Sequence, residues 1–242
     1  PKDNALINRL GINNEGSEAC AERLKKLKST NIIGGNIGKN TTTSNENAAN
    51  DYLINFTILH PYVDYFVLNV SCPNVSNFTK LQDVAFLREL LPKLKSFNNS
   101  QSKAKPILIK ISPDLSFEQL DETIALIIDE KLDGIIATNT TTSRNNLITS
   151  PSEVTQIGNG GLSGKPVKNR SNEVIEYISK KTNKKLPIIG VGGIMTAEDA
   201  VDKLNAGADL VQIYTGFIYS GPSLIKKICL LYTSDAADDA HG

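Results

Sequence analysis

Six short runs of β-branched and apolar residues punctuate the chain, at 32–36, 65–70, 107–111, 134–138, 188–191 and 210–214. Nearly every position in them is apolar, as in strands buried on both faces, and each is followed by a segment with helical spacing of apolar residues. Strict strand-then-helix alternation requires parallel pairing through right-handed crossovers. That leaves two architectures, a (β/α) barrel or an open, doubly wound sheet. A doubly wound nucleotide fold places a G-x-G-x-x-G turn after its first strand. Gly34-Gly35-Asn36-Ile37-Gly38-Lys39 is glycine-rich, but it begins inside a strand and lacks that spacing. The expectation is an α/β fold of the TIM (β/α)8 barrel type, with about six of its eight βα units present.

The intervening helices carry their own boundary signals. Ser17 is expected to cap a helix with Cys20, Leu24 and Leu27 on one face. Ser116 with Gln119 reads as a capping box before Leu120, Ile124 and Ile127. Ser171 precedes Val174, Ile175 and Ile178, and Thr196 with Asp199 opens a helix closed by Gly207. Asp83 starts a helix through Phe86, Leu87, Leu90 and Leu91 that Pro92 is expected to kink or end. Beyond Leu231 the stretch Tyr232-Thr233-Ser234-Asp235-Ala236-Ala237-Asp238-Asp239 has no apolar face. Residues 1–230 are therefore expected to form the barrel, and 231–242 an unstructured or non-native tail.

Composition removes several function classes. Lys plus Arg equals Asp plus Glu at 26 each, so there is no net field to attract nucleic acid, and no such partner is expected. The three cysteines are odd in number and form no C-x-x-C pair, and the two histidines, His60 and His241, are far apart. A disulfide framework, a metal site and a histidine triad are all disfavoured. No apolar run is long enough to span a bilayer.

Barrel enzymes place their chemistry at the C-terminal ends of the strands. Here those ends carry Asn36, Asn69-Val70-Ser71-Cys72-Pro73-Asn74, Lys110, Thr138-Asn139-Thr140, Gly192-Gly193 and Tyr214-Thr215. Such amide, hydroxyl and cationic groups suit a flat polar ligand. The glycines at 190, 192 and 193, those at 160, 161 and 164, and Tyr214-Thr215-Gly216 either make turns or let backbone N–H groups approach a phosphate. Lys110, the one charge in Ile107-Leu108-Ile109-Lys110-Ile111, either meets an anionic partner or reaches outward to water. Cys72 stands on a loop at the end of a strand, unlike Cys20 and Cys229 on helix faces.

Seven of these segments resemble, in order, the signatures of the dihydroorotate dehydrogenase family. They begin at Asn8-Arg9-Leu10-Gly11-Ile12-Asn13-Asn14, Asn36-Ile37-Gly38-Lys39-Asn40 and Asn69 to Asn74. Thr138-Asn139-Thr140-Thr141, Gly160 to Pro166, Ile188 to Ile194 and Val211 to Gly216 follow. The Asn8 motif, Leu81-Gln82 and Thr141 to Arg144 are most similar to the quinone-using, membrane-associated class 2 enzymes. The resemblance implies FMN-dependent oxidation of (S)-dihydroorotate to orotate in pyrimidine biosynthesis. It implies Cys72 as the general base that removes a C5 proton while hydride leaves C6 for flavin N5. It implies Asn8, Asn69, Asn74, Asn139 and Thr140 as substrate-binding residues. Asn36, Asn69, Lys110, Thr138, Gly164, Gly193, Tyr214 and Thr215 would bind FMN, with Lys110 stabilising charge on the reduced flavin.

Two departures from the class 2 pattern bear on partners. Class 2 enzymes carry serine at the base position, whereas cysteine marks the soluble class 1 enzymes, so fumarate or NAD stands beside quinone as acceptor. The family's opening strands, and the helical element that meets membrane and quinone, would precede Pro1, so a fragment is expected. Location follows the acceptor: a mitochondrial inner or bacterial cytoplasmic membrane for quinone, the cytosol otherwise. Two further readings are a phosphate-binding lyase or isomerase using Lys110 as a Schiff-base amine, and an incomplete barrel without activity.

Overall fold

The computed structural model describes residues 2–11, 13–71 and 84–239, the last eight of these as backbone only. In chain order the elements are β1 (Ala5–Asn8), α1 (Gly16–Lys26), β2 (Gly34–Ile37), α2 (Ala48–Leu59), β3 (Tyr65–Asn69) and α3 (Val84–Ser100). Next come β4 (Ile107–Ile111), α4 (Phe117–Asp129), β5 (Gly134–Ala137), α5 (Pro151–Ile157), β6 (Gly161–Gly164) and α6 (Lys168–Lys181). The chain ends with β7 (Ile188–Val191), α7 (Ala197–Asn205), β8 (Leu210–Gln212), α8 (Thr215–Ser220) and α9 (Ser223–Asp239).

The residues fall into two compact units. One comprises 10–111 and 116–135, the other 1–9, 112–115 and 136–242, and β5 starts in the first and finishes in the second. In the first unit β2 pairs parallel with β3, and β3 with β4. In the second, β7 pairs parallel with β8. The strand order β2-β3-β4-β5-β7-β8 runs in sequence order with no reversal. A doubly wound sheet must reverse direction at its switch point, so this order is that of a (β/α) barrel. All six expected strands are present, with β2 starting two residues later and β8 ending two residues earlier than the sequence pattern suggests.

The pattern in β3 and β4 is buried on both faces for a physical reason. Phe66, Leu68, Ile107, Ile109 and Ile111 are essentially inaccessible, while Val67 and Leu108 on the other face are nearly so. Phe66 stacks on Phe56 of α2, ring centroids 4.0 Å apart, and Phe97 of α3 meets Phe56 edge-on. Such an aromatic cluster adds about 0.5–1.5 kcal/mol per pair to its area burial. His60 lies within it, and its Nε2 is 3.0 Å from Asn98 Oδ1. That oxygen also accepts the Lys105 N–H at 2.9 Å, so the imidazole Nε2 is the donor and His60 is a satisfied core residue.

Several local expectations need correction. Ser17 does not cap α1; Glu15 is the cap residue, and Asn14 Oδ1 accepts the Gly16 N–H at 2.8 Å instead. Ser171 is not ahead of α6 but inside it, fully buried, donating to the Val191 carbonyl at 2.7 Å. Asp83 lies outside the described residues, and Pro92 does not end α3, which runs on to Ser100. Pro92 faces solvent, so water can satisfy the carbonyl it leaves unpaired. Leu87, Leu90, Leu91 and Leu94 are meanwhile buried on the other side. At about 1.5–3 kcal/mol per buried leucine, that face outweighs the roughly 3 kcal/mol cost of proline. The backbone is helical through 231–239, within the segment expected to be an unstructured or non-native tail. The capping boxes at Ser116 and Thr196 form as anticipated, and Gly207 follows α7 with φ +111°.

One pairing has no counterpart in the sequence pattern. The glycine-rich segment expected as a loop contains β6, which pairs antiparallel with β1 as a separate two-stranded sheet. Asn8 thereby stands opposite Gly161, and Ala5 opposite Gly164.

Candidate active site

In the first unit, parallel register places three of the anticipated polar residues on one face. Asn36 pairs with Val67, and Asn69 with Lys110. Because side chains alternate along a strand, Asn36, Val67, Asn69, Leu108 and Lys110 all point to the same side. The opposite side carries Phe66, Leu68, Ile107 and Ile109 against the helices. Asn36 is exposed, while Asn69 and Lys110 are half-buried, so Lys110 is neither sealed in the core nor outside the sheet. The backbone around them is fixed from two sides. Tyr52 Oη donates to the Asn69 carbonyl at 2.9 Å, and Ser71 Oγ donates to the Lys110 carbonyl at 2.7 Å. Cys72 and Asn74 lie outside the described residues. Lys39 was not singled out, yet it is 2% exposed, its Nζ donating to the Asn40 carbonyl at 3.1 Å and the Thr43 carbonyl at 2.5 Å.

In the second unit the expected residues gather around the ends of β5 and β7. Thr138 is 1% exposed and its N–H donates to the Val191 carbonyl at 2.8 Å. Its Oγ1, buried as well, has no hydrogen-bond partner among the described residues. A buried hydroxyl left unpaired costs on the order of 1–3 kcal/mol, so a polar ligand atom there would recover that loss. Asn139 and Thr140 follow, half-buried, with Asn139 Oδ1 accepting the Thr140 N–H at 2.9 Å. Thr215 Oγ1 donates to Ser163 Oγ at 2.9 Å, which joins the end of β8 to β6 and brings in Ser163, a hydroxyl the sequence reading passed over. Tyr214 is 72% exposed, and Asn8 is exposed at the end of β1.

The glycine clusters have a structural cause of their own. Gly164 has φ +96°, and a Cβ there would collide with the backbone of Asn4. Gly193 has φ +77°, and a Cβ would lie 2.5 Å from Lys168 Cα. Both positions need glycine to let the chain pass its own backbone, whatever else the turns hold.

Charge in the second unit is concentrated behind the Gly193 turn. Lys168, the first residue of α6, bridges Asp199 and Asp202 of α7. Hydrogen bonds from the Lys168 ammonium to these carboxylates hold its pKa above the usual lysine value. Burial alone would raise Asp199, but Lys168 and the N–H groups of Met195 and Thr196 hold it below the ordinary carboxylate value. Lys203 is fully buried on α7, its Nζ 2.6 Å from Asn172 Oδ1. Burial, helped by the nearby Lys168 charge, pushes it down to about 7. Among the described residues, no group of three or more His, Cys, Asp or Glu is placed to hold a metal.

The family model described as dihydroorotate dehydrogenase matches residues 1–231. A protein of Christiangramia forsetii named dihydroorotate dehydrogenase (quinone) is 55% identical over 227 residues, 94% of this chain and 65% of its own length. One of the same name from Nostoc sp. is 47% identical, across 94% of this chain and 61% of its own. This chain thus spans less than two thirds of the length of these curated relatives. Among solved structures, DHODH from Eimeria tenella in complex with ferulenol superposes with a TM-score of 0.87 at 32% identity, covering 98% of this chain and 69% of that one. Its ligand-free form gives 0.85 at the same identity, covering 94% and 68%. A match that runs over residues 1–231, shared with proteins of this fold and name, places the chain: it belongs to the dihydroorotate dehydrogenase family.

Proposed function

We propose that this chain supplies the FMN-binding barrel of an enzyme that oxidises (S)-dihydroorotate to orotate and passes the electrons to a quinone. The observation that carries the reading is the end of β5. There a buried Thr138 hydroxyl, without a partner among the described residues, stands directly before Asn139 and Thr140, in a chain of this family. FMN, when bound, supplies the two-electron acceptor for hydride leaving substrate C6. By the family resemblance, Asn36, Asn69, Lys110, Thr138, Gly164, Gly193, Tyr214 and Thr215 would hold it. Lys110 presents a cation from a sheet face it shares with two amides, suited to offset negative charge as the flavin is reduced.

Substrate recognition falls to four amides and one hydroxyl. Asn8, Asn69, Asn74, Asn139 and Thr140 offer donors and acceptors that match a ring of alternating N–H and C=O groups bearing a carboxylate. Cys72 takes the C5 proton. Its reference pKa of about 8.5 makes thiolate accessible near neutral pH, which a serine hydroxyl in that place could not match without stronger activation.

Quinone is favoured as acceptor because relatives 55% and 47% identical to this chain carry it in their names. It would bring the protein to a membrane, although among the described residues no helix is long and apolar enough to cross one. Cys72 favours a second reading, transfer to fumarate or NAD in the class 1 manner. Under anaerobic conditions the flavin-loaded protein should bleach on addition of dihydroorotate, and no bleaching would refute the assignment. Reoxidation by ubiquinone analogues, fumarate and NAD, compared side by side, then selects the acceptor. Cys72→Ala should keep its flavin yet lose most of the bleaching rate; an unchanged rate removes Cys72 as base.

A further inference from the structure

We infer that Asp114 is a positioning residue that holds the substrate loop Asn139-Thr140 in its binding conformation. This rests on the reading of Asn139 and Thr140 given above. Asp114 follows β4, but its side chain serves the loop after β5. One carboxylate oxygen, Oδ1, accepts the Thr141 hydroxyl. The other, Oδ2, accepts both the N–H and the hydroxyl of Thr142, each at 2.8 Å. Three hydrogen bonds to one carboxylate thus fix the two residues immediately after Thr140. Bonds to a charged acceptor are the strong ones, even at a residue as exposed as Asp114.

Asp114 is itself held from behind. Its N–H donates to Ser112 Oγ at 3.1 Å. The Arg170 guanidinium donates from Nε to the Pro113 carbonyl at 2.9 Å and from Nη2 to the Leu115 carbonyl at 2.6 Å, one on each side of the aspartate. On the far side of the loop, Thr141 exchanges backbone hydrogen bonds with Leu162 of β6 at 3.0 and 2.8 Å. Arg144 closes the loop by donating to the Gly160 carbonyl at 2.5 Å. Two of these fastenings are backbone-to-backbone or arginine-to-carbonyl, and any arginine could supply the second. The carboxylate is the one acidic group among them, and its three donors belong to Thr141 and Thr142 alone.

A loop that spends only a fraction of its time competent binds more weakly by that fraction. Removing the carboxylate should therefore weaken orotate binding while leaving FMN in place. In the flavin-loaded protein, Asp114→Ala should raise the orotate dissociation constant roughly tenfold, the equivalent of about 1.4 kcal/mol. It should raise KM for dihydroorotate by a similar factor, with the Tm and flavin content little changed. Asp114→Asn, nearly the same shape, should show a smaller effect in the same direction, because its amide oxygen can still accept from Thr142 and its NH2 can meet the Thr141 hydroxyl, but the charge that strengthens these bonds is gone. Thr142→Ala alone should have a smaller effect and add nothing on top of Asp114→Ala, as expected for groups acting through one contact. In the ligand-free protein, amide exchange at Thr142 should accelerate in both Asp114 variants. Unchanged exchange, additive effects, or an orotate dissociation constant within twofold of wild type in both variants overturns the inference. If wild-type protein binds no orotate at all, the assignment of the substrate falls instead, and the exchange rates still judge the role of Asp114 in holding the loop.

Discussion

Lys203 is a lysine enclosed in the interior of its unit, its Nζ against one amide oxygen, and replacing it with methionine tests how the structure accommodates it. The folded pKa of about 7 against an ordinary 10.5 means that folding works against the charged form. Below pH 7 the ammonium is retained in both states and the full penalty applies, about 4–5 kcal/mol at 1.36 kcal/mol per unit. Above pH 7 the folded protein releases the proton while the unfolded chain keeps it up to about 10.4, so the unfolded state binds more protons and stability rises with pH. Integrated from pH 6.5 to 8.5, the gain is about 2 kcal/mol. Lys203→Met abolishes this slope. It also leaves Asn172 Oδ1 without its donor, a loss of about 1–3 kcal/mol. The variant should then exceed wild type by about 1–4 kcal/mol at pH 6.5, and that margin should shrink by about 2 kcal/mol by pH 8.5. Urea denaturation of both proteins at pH 6.5, 7.5 and 8.5 reads this directly, and the difference between the two cancels every other titrating group. Lys168, Asp199 and Asp202 are the charges nearest Lys203. The shifts resolved for Lys168 and Asp199 carry them away from this pH range. Parallel stability curves would refute the reasoning, because Lys203 would then keep its proton on folding.

Two further substitutions separate fold from ligand. Thr138→Val removes a hydroxyl that has no partner among the described residues. Its unfolding free energy should stay level or rise by up to about 1 kcal/mol, while FMN affinity, followed by flavin fluorescence, falls several-fold; a loss of stability with unchanged affinity would reverse this assignment. Gly193→Ala places a methyl 2.5 Å from Lys168 Cα at a φ of +77°, so even without FMN it should lose at least about 2 kcal/mol in chemical denaturation. If stability holds and only FMN binding falls, the turn is not braced by α6.

Most of the local architecture was legible in the sequence because it depends on neighbours a few residues away. The β-branched runs of β3, β4 and β7, and the capping boxes at Ser116 and Thr196, are of this kind. Register then turned a list of strand-end residues into a shared surface. Alternation fixed that Asn69 and Val67 share a face, but only pairing with β2 and β4 added Asn36 and Lys110 to it. Ser163 and Asp114 were missed because their partners, Thr215 and Thr141 to Thr142, lie 52 and 27–28 residues away. Nothing in the residues beside them hints at those bonds.

The alternation of strands and helices, with no G-x-G-x-x-G turn after the first strand, determined the kind of fold, because burial on both faces and right-handed crossovers admit few solutions. The family signatures in it pointed to one chemistry. What only the tertiary structure decided was which positions answer to distant parts of the chain. The glycine cluster after β5 became a strand because Asn8 and Ala5 come to lie opposite it. Pro92 was tolerated because one face of α3 is buried deeply enough to outweigh a missing hydrogen bond. Lys203 looks like any helix-surface lysine in sequence and became a core residue because helix packing, not composition, sets which side of a helix meets water.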